Sequence, residues 1–190
     1  MGCDIHLYVE NKIKDQWVNC DNWRLDDDGK YEVFPIIIWR NYDLFSVLAG
    51  IRNYGKNKYM DEPRGLPEDV CDVIAKLCDD YGCDGHSHSW FTLAEMRAWQ
   101  KEHPTVQHRG LVSVRQAENL DKHGILPDSW CQGTSDKSYV WRTWTEEYCP
   151  LDELVALLEQ RMKEVFWISG SHPWEPELED RIRIVFWFDN

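Results

Sequence analysis

No stretch of this 190-residue chain is long or apolar enough to cross a bilayer. It has no Cys-x-x-Cys pair, which removes the commonest zinc and thiol-exchange spacings. It has no Gly-x-Ser-x-Gly turn and no glycine loop of the phosphate-cradling kind, so neither a nucleophile elbow nor a P-loop is present. Internal repeats and low-complexity tracts are missing too, which sets aside solenoids and linkers. Positive charge is scarce: 21 Lys and Arg stand against 34 Asp and Glu, for a net charge of −13. Such a field repels nucleic acid and attracts basic surfaces or metal cations, so direct nucleic-acid binding is not expected. The plainest meaning of the charge is solubility. A more specific one is that the acidic surface occupies a protein that normally binds nucleic acid. No secretion signal is visible. The seven cysteines, Cys3, Cys20, Cys71, Cys78, Cys83, Cys131 and Cys149, therefore read as reduced thiols of a cytoplasmic protein. Met1-Gly2-Cys3 resembles an acylation start, but His6 stands where that signal needs Ser or Thr.

What is abundant is tryptophan. Eleven are present, and Trp17, Trp23, Trp39, Trp141, Trp144 and Trp174 sit beside charges. That pattern suits half-buried binding surfaces as well as ordinary packing. Hydrophobic residues at 43% are enough for a real core, and the length favours one domain over residues 1–190.

Alternation over Cys3–Glu10 puts Ile5, Leu7 and Val9 on one face and Asp4, His6, Tyr8 and Glu10 on the other, a half-buried strand. A turn at 12–15 leads to a second strand at 16–20, and the polar run 22–30 reads as a loop. Residues 31–39 read as a strand broken by Pro35. A short helix over 43–49 closes at Gly50, and 53–66 is a stiff Pro- and Gly-bearing loop. Pro67 suits the first turn of a helix running to about Asp80. Thr92-Leu93-Ala94-Glu95 is a capping box that starts a helix ending before Pro104. Ser113-Val114-Arg115-Gln116 is a second box, with Gly124 as the stop. Residues 139–145 alternate as a strand. Pro150 opens a helix with an apolar stripe of Leu151, Leu154, Val155, Leu158, Met162, Val165 and Phe166. A polar link at 169–180 leads to a closing strand at 181–188. The expected fold is α+β: a mainly antiparallel sheet holding both terminal strands as neighbours, packed with four or five helices.

Two short clusters carry candidate chemistry. Asp4 and His6 alternate on the first strand; Asp84, His86 and His88 follow the fourth stretch of loop, just before the Thr92 box. Together they offer carboxylate and imidazole ligands for zinc, manganese or iron, with an open position to activate water. The alternative is a polar strand face and a polar loop. A competing structural zinc set is Cys78, Cys83, His86 and His88, four ligands within eleven residues. In the stiff loop, Arg64 is placed to clamp a phosphate or carboxylate, and Glu62 to act as general base or orienter; a surface ion pair is the simpler role. Ser87 and Ser89 lie among histidines without an elbow around them.

The Asp-x-His strand and His-x-His pair resemble the metal-binding ends of metallophosphoesterases. That likeness covers these residues only; the family's Gly-Asp and Gly-Asn-His segments are absent. A wider resemblance rests on the opening Met1-Gly2-Cys3-Asp4-Ile5-His6, on 40–45 (Arg-Asn-Tyr-Asp-Leu-Phe), on Glu62-Pro63-Arg64-Gly65-Leu66-Pro67, on Asp84-Gly85-His86-Ser87-His88-Ser89, and on the ending at 185–190. As a set these are similar to a group of bacteriophage and prophage proteins. The resemblance implies action in the cytoplasm of a bacterial host. The expected roles are a metal-dependent hydrolase acting on a small anionic substrate such as a nucleotide, an acidic anti-defence inhibitor of the anti-CRISPR type that binds a basic host complex, or a zinc-stabilised accessory domain.

Overall fold

The computed structural model describes residues 2–36, 40–169 and 176–189, with the side chains at 166–169, 176 and 177 left aside. Ile37, Ile38, Trp39 and Trp174, the side chain of Phe166 and residues 170–175 of the expected 169–180 link lie outside the described residues.

Strand β1 (Asp4–Ile13) turns through Lys14 and Asp15 into β2 (Gln16–Asn19). Both turn residues have positive φ, 47° and 66°, the tight hairpin geometry whose twist matches the flanking strands. The run expected to be a loop is half strand: β3 (Asn22–Leu25) pairs antiparallel with β4 (Tyr31–Phe34). The 26–30 turn is held by Asp26 Oδ1, which accepts from Lys30 N at 2.7 Å, with Gly29 at φ 76°. β4 stops before Pro35, as the missing amide requires.

Helix α1 (Tyr42–Ala49) starts where Asn41 Oδ1 accepts from Leu44 N and ends at Gly50 in the left-handed region. Helix α2 (Asp72–Tyr81) begins five residues later than Pro67 suggests. The reason is side chains of the sheet: Glu10 Oε1 accepts from Cys71 N at 2.7 Å and Arg183 donates to the Asp69 carbonyl at 3.2 Å. Backbone bound that way cannot enter a helical turn. A 3-10 turn at Gly82–Asp84 leads into β5 (His86–Thr92), a strand where the sequence suggested a loop. Then follow α3 (Leu93–Glu102) with its complete capping box, β6 (Val106–Ser113), α4 (Val114–His123) capped by Ser113 and Gly124, β7 (Tyr139–Glu146), α5 (Asp152–Ser169), a 3-10 segment at Pro176–Arg181, and β8 (Ile182–Asp189).

The main sheet is antiparallel, in the order β2-β1-β8-β5, so both terminal strands are neighbours, with Asp4 opposite Asp189 and Asn11 opposite Ile182. One face, Ile5, Leu7 and Val9 with Ile184, Phe186 and Phe188, packs on α1, α3 and α5 through Phe45, Met96, Leu154 and Leu158. The other face, Tyr8, Val185 and Trp187, is covered by Ile74 and Leu77 of α2. β8 is therefore buried on both sides, which is why its sequence is an almost unbroken apolar run. At roughly 1.5–3 kcal/mol for each fully buried large side chain, this strand is the strongest single contributor to the core. The exception in the strand is Arg183, whose Nε lies 2.6 Å from Glu10 Oε2, both fully buried.

β6 and β7 form a separate hairpin with α4 against Val112, Ala117 and Trp144. It is fixed to the main body by Asn57, whose amide bonds both ways to Gln107 at 2.9 and 2.7 Å. Gly55 permits that approach: a Cβ there would lie 1.8 Å from the Gln107 carbonyl oxygen. No helix among the described residues is long and apolar enough to cross a membrane.

Candidate ligand site

Strand pairing brings the two sequence clusters to one end of one sheet, yet it does not gather them around a point. His6 is paired with Trp187 and His86 with Phe188, neighbours in β8 that face opposite sides of the sheet. A bulge between His86 and Ser89, with Ser87 at φ 53°, returns His88 to the Trp187 side. There the indole stands between the two imidazoles, each 5.9 Å from it and stacked on it. Among the described residues no three His, Cys, Asp or Glu side chains come together as a metal would need. This applies to Asp4, His6, Asp84, His86 and His88, and equally to Cys78, Cys83, His86 and His88. The donors present do not fit one zinc or manganese ion, because ligands about 2 Å from a shared centre cannot straddle an indole.

Each of these side chains has other partners. His6 Nε2 lies 3.0 Å from Asp189 Oδ2, and its ring lies 4.1 Å from that of Tyr81. Asp4 takes a two-pronged contact from Arg40, with Nη2 to Oδ2 at 2.7 Å; the guanidinium holds this carboxyl below its ordinary range. His86 Nδ1 is 3.0 Å from Ser87 Oγ. Burial, with His86 adding a smaller effect, holds His88 below the ordinary imidazole range. Cys78 packs against the α2-side core and burial raises its thiol pKa, whereas Cys83 and Asp84 are exposed.

Arg64 is not open as an anion clamp. Its guanidinium bonds Glu95 Oε1 at 2.8 Å, Asp61 Oδ2 at 3.1 Å and the Trp90 carbonyl at 3.3 Å, and lies over the Phe91 ring. It fastens the stiff loop to β5 and the start of α3. Glu62 accepts from the Tyr59 hydroxyl, a contact that raises the Tyr59 pKa.

The concave polar site lies just beyond the β1 end, where α1 meets the β6–β7 hairpin. It is a groove of about 690 Å³ whose walls include Arg40, Tyr42, Asp43, Arg52, Tyr54 and Trp130. Gly2 lets Arg40 lie across the chain, since a Cβ there would fall 2.5 Å from the guanidinium. Arg52 has a left-handed φ of 54°, a costly conformation for a residue with a side chain, and donates to the Gly2 carbonyl at 3.5 Å. On the hairpin side, Leu111 and Cys131 exchange backbone hydrogen bonds at 2.8 and 3.1 Å. Trp130 is seated on Gly110, where a Cβ would come within 2.6 Å of the indole.

Asp43 belongs to this wall and is held from behind. The Tyr148 hydroxyl donates to its Oδ2 at 2.6 Å, and His108 Nδ1 lies 3.5 Å from its Oδ1. His108 is buried between Trp144, stacked at 5.4 Å, and the edge of Trp130 at 5.2 Å. Its Nε2 is 3.4 Å from Glu146 Oε1, too far and too poorly aimed for a hydrogen bond. Burial, reinforced by the Asp43 carboxylate, raises the Tyr148 pKa well above that of an ordinary phenol. The Tyr148 hydroxyl thus stays a donor to Asp43. The site combines two guanidinium groups, of which Arg40 is engaged by Asp4, the rings of Tyr42, Tyr54 and Trp130, and two carboxylates, Asp43 and Glu153.

The candidate residues of the sequence analysis do not include Asp43, Arg52, His108, Trp130 or Tyr148. They come from four separate segments, and no local spacing links them. No protein-family model, curated protein or solved structure matches the chain.

Proposed function

We propose that this is a phage-encoded accessory protein that binds a small anionic molecule bearing a planar ring, of the mononucleotide class, and hydrolyses it. The observation that carries the reading is the groove that places Arg40 and Arg52 beside the rings of Tyr42, Tyr54 and Trp130; unlike the more enclosed Arg64, Arg40 meets its partner Asp4 at an exposed contact, where a phosphate can exchange with the carboxylate. Guanidinium forks match phosphate oxygens, and aromatic faces accept a base irrespective of its identity. Burying both parts of one ligand in a groove of this size is ordinary for small-molecule sites.

Asp43 supplies the reactive group. Fixed by the Tyr148 hydroxyl, its carboxylate takes the proton of a water whose oxygen bonds to phosphorus; the P–O bond to the leaving group breaks, the departing oxygen takes that proton from Asp43, and the two arginines stabilise the charge that develops on the phosphoryl oxygens. His108 is a positioning residue: it stands behind Asp43 and against the edge of Trp130. The phage origin and host-cell setting rest on the sequence resemblance. Exposed carboxylates occur in several stretches of the chain, at 27–28, 61–84, 118–136 and 147–153.

The test is phosphate release from a panel of nucleoside mono- and diphosphates by the wild type and by Asp43→Asn. A general base contributes about 10²- to 10⁴-fold, so the variant should lose at least 10²-fold in kcat with binding retained. Binding without turnover in the wild type would reduce the protein to a nucleotide-binding module. Neither binding nor turnover would overturn the proposal.

A further inference from the structure

A second groove lies at the other end of β1, a strand of 10 residues that spans roughly 30 Å, and so is separate from the site above. It has a volume of about 590 Å³ and runs between the β1–β2 turn, β3 and the start of α2. Its walls include Asp15, Trp17, Val18, Trp23, Asp69 and Asp72, and no lysine or arginine appears among its described lining residues. Val18 and Trp23 are 42% and 49% exposed, far above what packing would leave for such side chains. β2 is the outer strand of its sheet and has no partner on its far side among the described residues.

We infer that this groove docks a basic segment of a partner protein, with an arginine or lysine side chain against Asp69 and Asp72 and neighbouring apolar side chains on Trp23 and Val18. The protein already uses this chemistry inside the same wall. Arg183 Nη1 bonds Asp69 Oδ1 at 2.7 Å while its guanidinium lies 3.9 Å from the Trp17 ring centroid. Trp17 Nε1 donates to the other Asp69 oxygen at 2.9 Å, so the carboxylate is held in place. Asp72 lies on the open side and is exposed. Three carboxylates repel a nucleic-acid backbone. Indole faces suit a weakly hydrated guanidinium or an alkyl stem better than a hydrated metal ion. A second copy of the chain would bring its own charge of −13 to an acidic groove.

The experiment is titration of the full chain with a labelled peptide of alternating arginine and leucine, with Trp23→Ala, Asp72→Asn and a control, Glu102→Gln, at an exposed position elsewhere. The wild type should bind with a salt-dependent Kd. Both groove variants should weaken it at least 10-fold, and the control should leave it unchanged. Val18→Lys, at an exposed strand position, gives the same readout should Trp23→Ala lower the melting temperature. Equal weakening in the control would mean diffuse charge attraction and overturn the inference. So would absence of binding at low salt, or sedimentation showing a dimer that Trp23→Ala dissociates.

Discussion

At the residue scale, a buried carboxyl and a buried ion pair each make a prediction. Asp21 is buried beside β1, accepting from Val9 N at 2.9 Å and Asn19 Nδ2 at 2.7 Å through one oxygen, while its other oxygen has no partner. Burial outweighs those two hydrogen bonds and pushes the carboxyl up to about 6 from an ordinary 3.8. The folded chain therefore holds this proton more tightly than the unfolded chain. Its contribution to stability is complete below about 4 and is lost as the pH rises through about 6, on the order of 3 kcal/mol. Melting curves should show this loss between pH 4 and 7, and Asp21→Asn should flatten it; an unchanged profile in the variant would place the titrating group elsewhere. Asp4 and Asp121, whose carboxyls Arg40 and Arg142 hold low, act in the other sense, and their contribution is lost as the pH falls below about 4. Arg183 and Glu10 form the second case. Removing Arg183 leaves Glu10 a buried charge without its cation, so Arg183→Met should cost about 3–5 kcal/mol in denaturant unfolding, and Glu10→Gln, which leaves Arg183 paired with Asp69, should cost less. Replacing both with apolar residues should cost less than the sum.

At the element scale, the parts written in local chemistry were legible in the sequence. The capping boxes at Thr92 and Ser113, the glycine stops at Gly50 and Gly124, the alternation of β1 and the apolar run of β8 each declare an element without help from the rest of the chain. The elements that were not legible depend on distant partners. β5 is a strand because β8 offers it an edge, although His86–Ser89 is polar and bulged. α2 starts late because Glu10 and Arg183 capture the backbone ahead of it. The two short motifs offer ligand types but not their facing, which in a sheet is set by register, and register puts His6 and His86 on opposite sides. The docking of the β6–β7 hairpin is also non-local. Gly55→Ala should push the loop off Gln107 and detach the hairpin. Asn57→Ala should cost about 1–3 kcal/mol through the unmatched Gln107 backbone groups. Hydrogen exchange checks both, with faster exchange confined to β6, β7 and α4 as the expected pattern; a uniform increase across the main sheet would contradict this hinge.

At the scale of the whole molecule, one antiparallel sheet with both faces covered presents two grooves of opposite character at the two ends of its first strand. One gathers Arg40 and Arg52 with aromatic rings; the other gathers carboxylates with aromatic rings. In a chain whose net charge is −13, Arg40 and Arg52 offset the Asp43 and Glu153 carboxylates of this groove, so it is less acidic than the molecule as a whole. The most direct measurement is calorimetric titration of a nucleoside monophosphate into the wild type, Arg52→Ala and Trp130→Ala. The account predicts one site per chain, with each substitution weakening binding by at least 10-fold while the melting temperature stays near that of the wild type. Wild-type affinity in both variants, or no heat of binding in the wild type at any concentration up to millimolar, would contradict it.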